Sequence, residues 1–253
     1  MEHPPHQPED LKSLHSPAAI RERLEAGVTH SYLKDFVYGA IDGAVTTFAV
    51  VSGVAGAGLS SSVIIILGLA NLIADGFSMA VSNFLGTRAE EQLRERIRRR
   101  EEQHIRDIPE GEQEEIRQIF AAKGFHGKDL ERAVQIITAD PKQWIDTMLQ
   151  EEFGLPLVGP SPWRAAVATF AAFVLVGSVS LVVFIYQWLS GTSVPHAFAL
   201  SSAMTGAAFF AVGAMKGHFV EQKWYMSGLE TLLVGATASA LAYGVGALLK
   251  TVI

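Results

Sequence analysis

Two isolated aspartates are the residues of this chain best placed to do chemistry. Asp42 and Asp75 flank the stretch Gly43–Ala74, which contains no Asp, Glu, Lys or Arg. An ionised side chain is strongly disfavoured in hydrocarbon, so residues of this kind usually mark a path for ions or protons. The two aspartates therefore predict a pathway through a membrane.

Long apolar helices must position these aspartates. A helix needs roughly 20 residues to cross about 30 Å of hydrocarbon. A second charge-free stretch, Ala165–Met215, is too long for one crossing. Turn-forming residues at 58–62 and 190–195 divide the two stretches. Together with the apolar C-terminal region they predict five spans: Phe36–Gly58, Ser62–Gly86, Trp163–Leu189, His196–Gly217 and Gly228–Leu249.

The basic residues orient these spans, because Lys and Arg collect on the cytoplasmic side of membrane proteins. If five spans alternate in direction, 19 of the 20 Lys and Arg residues lie toward one side and only Lys250 lies toward the other. We therefore expect residues 1–35, residues 87–162 and the loop between the fourth and fifth spans to be cytosolic. The chain is predicted to be an integral, multi-pass membrane protein.

Composition excludes several classes of protein. The chain has no cysteine, so disulfides and thiolate chemistry are ruled out. The net charge is -6 and acids are interleaved with the basic residues, so no nucleic-acid partner is expected. Residues 1–17 are polar and lack the apolar region of a signal peptide. Residues 18–28 are predicted to form a short helix at the membrane surface.

Residues 87–162, which we call the charged segment, are predicted to form a small helical domain. Residues 89–107 continue the second span, and further helices are predicted at 110–123, 128–138 and 141–153. Candidate ligands share helix faces in three pairs: Glu101 with His104, Glu112 with Glu115, and Met148 with Glu152. Such pairs on adjoining helices can converge on a metal ion. The alternative is a solvated acidic face whose carboxylates pair with nearby arginines.

A polar stripe runs along the second span. Its members recur at helical spacing and are Asn71, Asp75, Met79 and Ser82. Such a stripe should face protein or water, and the Met79 thioether is a soft donor for a transition metal. On the first span, Thr46 lies one turn beyond Asp42. The alternatives are a packing role for Met79 and an interfacial position for Asp42.

Four stretches resemble the vacuolar iron transporter family. They are Asp42–Phe48 (DGAVTTF), Gly76–Ala80 (GFSMA), Glu101–Glu115 around Pro109, and Trp144–Met148 (WIDTM). The resemblance extends over nearly the whole chain from about residue 30. It implies an all-α, polytopic membrane protein with five transmembrane helices and an inserted cytosolic helical metal-binding domain. The corresponding organisation is a cytosolic tail (1–35), two transmembrane helices (36–86), the metal-binding domain (87–162) and three transmembrane helices (163–253).

The resemblance also implies roles for single residues. The pathway acid and methionine of the family fall on Asp42 and Met79. The ligands of its cytosolic domain fall on Glu101, Glu112, Glu115, Met148 and Glu152. This chain departs from the family in having Asn71 where a glutamate is usual, with Asp75 one turn further on. It also has His104 in place of a glutamate, and Leu149 in place of a second methionine.

The function implied by the resemblance is transport without a prosthetic group. A homodimer would move a divalent metal ion out of the cytosol in exchange for protons, with Fe²⁺ as substrate and Mn²⁺ or Zn²⁺ as further candidates. The expected membrane is a bacterial plasma membrane, or the vacuolar membrane if the source is eukaryotic. Two alternatives are a membrane-anchored di-iron ferrous oxidase and a metal-sensing membrane protein.

Overall fold

The computed structural model describes residues 14–26 and 30–252, and all the regular structure in these ranges is helical. The all-α class predicted from the sequence is confirmed. Residues up to 31 and residues from 32 onward form two separate units. The first contains helix α1 (Pro17–Ala26). The predicted surface helix at 18–28 overlaps α1, but its last two residues lie outside the described residues, as do residues 1–13 of the tail.

The second unit contains the predicted membrane helices. Within the described residues, five helical stretches are long and apolar enough to cross a membrane, as predicted. They are Leu33–Gly56, Ser61–Asp107, Pro162–Ser190, Ala197–Phe219 and Trp224–Leu249. The first two are helices α2 and α3. Helix α2 begins three residues before the predicted start, so it includes Asp35.

Helix α3 is the longest element, with 47 residues. At about 1.5 Å per residue it is roughly 70 Å long, more than twice the thickness of hydrocarbon. Its first half is apolar and its second half is charged. The sequence correctly predicted that the second span continues without a break into the charged segment.

The charged segment folds into three short helices beside the end of α3. They are α4 (Pro109–Ala122), α5 (Gly127–Thr138) and α6 (Pro141–Glu151), close to the predicted ranges. Their shared apolar core contains Ile116, Val134, Trp144 and Met148. An ion pair between Arg98 and Asp146, at 2.8 Å, joins α3 to α6.

The third membrane stretch is interrupted, whereas the sequence predicted one continuous helix at Trp163–Leu189. Helix α7 (Pro162–Gly177) is followed by a 3-10 turn (Ser178–Leu181) and then by α8 (Val182–Ser190). Hydroxyl groups compete with the regular backbone bonds here: Ser180 Oγ donates to the Gly177 carbonyl, and Ser201 Oγ donates to the Ser180 carbonyl at 2.6 Å. These hydroxyl groups thus supply bonds to the Gly177 and Ser180 carbonyls at the interruption.

The last two membrane helices are α9 (Ala197–Phe219), which carries Ser201, and α10 (Trp224–Leu249). Helix α10 packs along both α9 and α2. The membrane helices therefore surround α2, which also contacts α3 and α7.

Close packing of α2 on α7 depends on two glycines. A side chain at Gly39 would collide with the backbone of Thr169, and one at Gly43 would collide with the backbone of Phe173. These glycines allow the two helices to approach at backbone distance, as expected for small residues spaced four apart in membrane helices. The contact fixes the position of α2 and hence of Asp42.

Candidate metal site and membrane pathway

The charged segment brings three predicted ligands together. Glu101 and His104 lie on the last turns of α3, and Glu112 lies on the first turn of α4. Pro109 begins α4, so the chain reverses direction at Ile108 and the two helix ends face each other. One ligand atom from each residue lies within 4.8 Å of the other two. This spacing suits three ligands around one metal ion.

Glu112 is the most constrained member of the group. Its side chain is about 1% exposed, and His104 Nδ1 lies 3.1 Å from its Oε1. Its Oε2 is buried without a hydrogen-bond partner among the described residues. Burial, together with the charges of Glu115 and Glu101, raises the pKa of Glu112 to about 7, while His104 acts in the opposite direction. A cation would supply the missing partner for Oε2.

Two more predicted ligands lie at the edge of this group. Glu115 and Glu152 are both exposed, and their charges act on Glu112. Partial burial of its carboxyl group, followed by the charges of Glu115 and Glu101, raises the pKa of Glu152 even though most of the residue is exposed. We call these five residues the acid cluster: Glu101, His104, Glu112, Glu115 and Glu152. The structure therefore gathers all five predicted charged or imidazole ligands in one region.

Met148, the predicted thioether ligand, is completely buried. It packs in the core of the charged segment with Ile116 and Trp144. It lies one turn before Glu152 in the sequence, as the spacing indicated.

Arg100 is a neighbour of the acid cluster that sequence reasoning missed. Its Nε lies 3.1 Å from Glu101 Oε1, and its guanidinium stands over the Phe153 ring at 4.9 Å. Its positive charge also acts on Glu152. The sequence shows Arg100 next to Glu101. However, several arginines lie at 94–100, and nothing in the sequence distinguishes Arg100 from the others.

The membrane aspartates lie on neighbouring helices, α2 and α3, and differ in exposure. Asp42 is partly buried, whereas Asp75 is exposed on the surface of the single chain. The two residues are close enough for the charge of Asp75 to act on Asp42. No ion pair of either carboxylate with a cation is found within the described residues. Two acids in this arrangement can bind a cation or share protons.

The predicted polar stripe divides into bonded and exposed members. The Asn71 amide donates to the hydroxyls of Thr46 and Thr47, both at 3.2 Å, and Thr46 in turn donates to the Asp42 carbonyl at 2.8 Å. Met79 packs against the apolar core of the membrane helices. Ser82 is exposed. Asn71 therefore connects α3 to the turn that carries Asp42.

A second polar contact, also missed by sequence reasoning, lies near the start of α2. The Asn83 amide donates to Asp35 Oδ1 and to Thr169 Oγ1, both at 2.7 Å, which links three membrane helices. Asp35 precedes Asp42 by seven residues and so lies on the same face of α2. This spacing could have linked Asp35 to Asp42. The predicted span began at Phe36, however, so Asp35 was not considered part of the helix.

Comparison with known proteins identifies the family. The VIT family profile matches residues 33–247. The chain is 35% identical over 230 residues to a vacuolar iron transporter of Toxoplasma gondii, covering 88% of this chain and 76% of that protein. It is 33% identical over 217 residues to vacuolar iron transporter 1 of Arabidopsis thaliana, covering 83% of each. These relatives carry the names of transporters, not of enzymes. The chain is a multi-pass membrane protein and belongs to the VIT family.

Proposed function

We propose that this protein transports Fe²⁺, and Mn²⁺ as a second substrate, out of the cytosol in exchange for protons. The observation that carries the proposal is the buried Glu112 oxygen that has no partner among the described residues, beside Glu101 and His104. A buried polar atom without a partner is costly, and a bound cation would satisfy it. The names of the relatives make iron the first substrate to test.

Capture is proposed to occur at the acid cluster. Carboxylates suit hard and borderline divalent ions, and the imidazole of His104 extends the choice toward Zn²⁺. His104 Nδ1 and Glu112 Oε1 are 3.1 Å apart, and an ion that binds Glu112 must displace any proton that its carboxyl group holds. Metal capture should therefore release protons. The Met148 thioether, one turn before Glu152 in the sequence, is proposed as an additional ligand.

Passage is proposed to use Asp42, Asp75 and Met79. The ionised carboxylates attract the ion, and protons that enter from the far side replace it. Thr46, Asn71 and Ser82 would line the same path. The exchange requires no prosthetic group, because the chemistry is ligand exchange and proton transfer on side chains of the chain itself.

The exposure of Asp75 supports a homodimer. A carboxylate on the outer surface of a single chain would face lipid, where an ionised group is strongly disfavoured. A second copy that covered this face of α3 would remove Asp75 from lipid and bring four aspartates together. The proposed pathway then lies between two protomers.

Transport in proteoliposomes under an imposed pH gradient tests this function. The protein should move Fe²⁺ against its gradient only when protons can flow the other way. Asp75→Asn should abolish this movement, while the control Glu230→Gln, an exposed acid paired with Lys216, should not. Uphill transport by Asp75→Asn at the parental rate would contradict the proposal.

The topology behind this direction of transport can be tested separately. Because the chain lacks cysteine, single Cys substitutions at Ser60, Ser193 and Gln113 can be labelled with an impermeant reagent. Ser60 and Ser193 should react from one side, and Gln113 should react from the cytosolic side. Labelling of all three from the same side would overturn the five-span arrangement.

A ferrous oxidase is the competing function with similar ligands. A di-iron centre of the bundle type uses two Glu-x-x-His motifs. Within the described residues, one group of three candidate metal ligands is found. Oxygen consumption with ferrous iron should therefore stay at background during transport.

A further inference from the structure

A large cleft lies beside α3 just after that helix enters the charged segment. Its volume is about 870 Å³, and the chain at 157–159 forms its opposite wall. Five arginines line it, against two glutamates, Glu91 and Glu95. The arginines are Arg88, Arg94, Arg96, Arg98 and Arg99. The cleft is therefore positively charged and contains none of the acid cluster.

Three of these arginines have no ion-pair partner in the described part of the chain. Arg98 pairs with Asp146 and Arg99 pairs with Glu95, whereas Arg88, Arg94 and Arg96 pair with no carboxylate there. The preference of membrane proteins for basic residues at the cytosolic side explains the sign of these charges. It does not explain why unpaired guanidinium groups line one concave surface.

Arg94 packs against a glycine in the wall of the cleft. Its guanidinium lies against Gly159, where any added Cβ would collide with it. The neighbouring residue Val158 is 64% exposed. The Arg94 guanidinium thus lies along the wall of the cleft and forms no ion pair with a carboxylate of the described residues.

An aromatic pair places the near end of the cleft at the membrane surface. The Phe84 and Trp163 rings are 4.9 Å apart, and the Arg88 guanidinium stands over Phe84 at 5.9 Å. Trp163, at the start of α7, is 71% exposed. Exposed tryptophans at helix ends are typical of the boundary between lipid and water. Arg88 therefore lies at the level of lipid headgroups.

The cleft is separated from the proposed ion pathway along the length of α3. Glu95, which lines the cleft, follows Asp75 by 20 residues on the same helix, α3. At 3.6 residues per turn this separation corresponds to a net rotation of roughly 200° about a straight helix. Glu95 thus lies on the side of α3 opposite Asp75, whereas Arg96, which follows Asp75 by 21 residues, is only about 60° away from it. The cleft is separated from Asp75 along the helix axis, because its first arginine, Arg88, lies roughly 20 Å beyond Asp75.

We propose that this cleft binds the phosphate-bearing headgroup of an anionic phospholipid. Guanidinium groups bind phosphate oxygens through paired hydrogen bonds, and basic clusters next to a transmembrane helix attract anionic lipids. A lipid in the bilayer can contact Arg88 with its headgroup, and Arg94 and Arg96 lie further along the cleft. The bound lipid would hold the charged half of α3 and the segment before α7 against the membrane.

The test uses the full-length protein, purified in a non-ionic detergent and mixed with phosphatidylglycerol or phosphatidylcholine. Native mass spectrometry should show retention of phosphatidylglycerol and loss of phosphatidylcholine. An Arg88→Gln, Arg94→Gln double variant should weaken phosphatidylglycerol binding roughly tenfold or more. Arg132→Gln, an exposed arginine of α5 outside the cleft, is the matched control. Equal retention by the double variant and the control would overturn the site.

Two further measurements test whether the bound phosphate belongs to a lipid and whether a loss of binding reflects unfolding. Inorganic phosphate or glycerol phosphate should not displace the lipid at equal concentration, and full displacement would show a site for soluble phosphate instead. Arg94→Lys keeps the positive charge but removes the planar pair of donors, so it should weaken phosphatidylglycerol binding less than Arg94→Gln does. Thermal unfolding reports whether each variant is folded. Unchanged lipid binding in a folded Arg94→Gln protein would count against the proposed position.

Discussion

The acid cluster and the membrane aspartates differ in how much of each site one chain contains. Glu101, His104 and Glu112 converge within 4.8 Å in a single chain, and two of them are almost fully buried. Asp42 and Asp75 interact with each other, but Asp75 remains exposed on the chain surface. One chain therefore brings the candidate ligand atoms of the first region together, whereas it leaves one carboxylate of the second region uncovered.

This difference follows from how each region is built. A helix reversal at Ile108 and a small apolar core hold the ligands of the acid cluster in place. The membrane pair instead lies on two helices whose remaining contacts are mainly with the third stretch and α10. The charged segment is thus expected to bind a metal ion without transporting it. Transport is expected to depend on the assembled membrane helices.

The largest expected effect separates these two roles. Asp42→Asn and Asp75→Asn should each lower Fe²⁺ transport at least about 100-fold, since even residues outside the ligand shell contribute 10- to 100-fold. The affinity of the acid cluster for metal should remain at the parental level in the same purified variants. Isothermal titration with Mn²⁺ and flux in proteoliposomes measure the two properties. Parallel loss of both would remove the distinction between capture and passage.

The converse experiment alters capture. Glu112→Gln should weaken metal binding about 100-fold, because it removes the charge at the centre of the cluster. In the parental protein, affinity should fall about tenfold for each pH unit below about 7, where Glu112 must lose a proton to bind. Titrations at pH 5.5, 6.5 and 7.5 test this slope, with Glu110→Gln as the exposed control. A slope that is the same in Glu112→Gln would exclude Glu112 as its source.

The same carboxylate should affect the stability of the metal-free protein. Its pKa rises from the ordinary 4.5 to about 7 on folding, so the folded state binds more protons than the unfolded state between these values. Stability should therefore decrease as pH rises through this interval. Glu112→Gln should flatten the dependence and unfold at a higher temperature than the parental protein at pH 8. Thermal unfolding at pH 5 and pH 8 measures the difference, and a parental Tm that rises over this range would contradict it.

The sequence predicted the helices well because their signals are local. Charge-free stretches, turn residues and Pro109 placed the five spans and the three short helices within a few residues. The sequence did not predict the interruption at Ser178–Leu181, where the Ser180 carbonyl accepts a bond from Ser201 on another helix. Contacts between distant residues leave no such mark in a single sequence.

The candidate site was partly predictable for the same reason. Helical spacing paired Glu101 with His104, and the family resemblance added the remaining ligands. Spacing could not show that Arg100 contacts Glu101, or that Asn83 bonds to Asp35 and Thr169. These contacts depend on side-chain direction and on the packing of three helices.

A smaller effect on metal affinity is expected from Arg100. This arginine contacts the acid cluster, whereas Asp42 and Asp75 have no ion pair with a cation among the described residues. Arg100→Met should strengthen metal binding by up to about tenfold, since it removes a half-exposed positive charge beside Glu101. Arg100→Lys should behave like the parental protein if charge is the cause. Arg99→Met, which removes an exposed arginine paired with Glu95, is the control. Weaker binding in Arg100→Met would indicate that the arginine instead positions Glu101.

The smallest expected effect concerns Met148. Leucine has nearly the same volume, so Met148→Leu should change the free energy of unfolding by less than about 1.5 kcal/mol even at this buried position. If the thioether is a ligand, affinity should fall a few-fold, and more for Zn²⁺ than for the harder Mn²⁺, because sulfur prefers softer ions. Titration of both metals into the parental protein and the variant, with Ile137→Leu in the same core as a control for general core changes, separates the two roles. Unchanged affinities for both metals in Met148→Leu would assign Met148 to packing alone and leave the carboxylates and His104 as the complete ligand set of the charged segment.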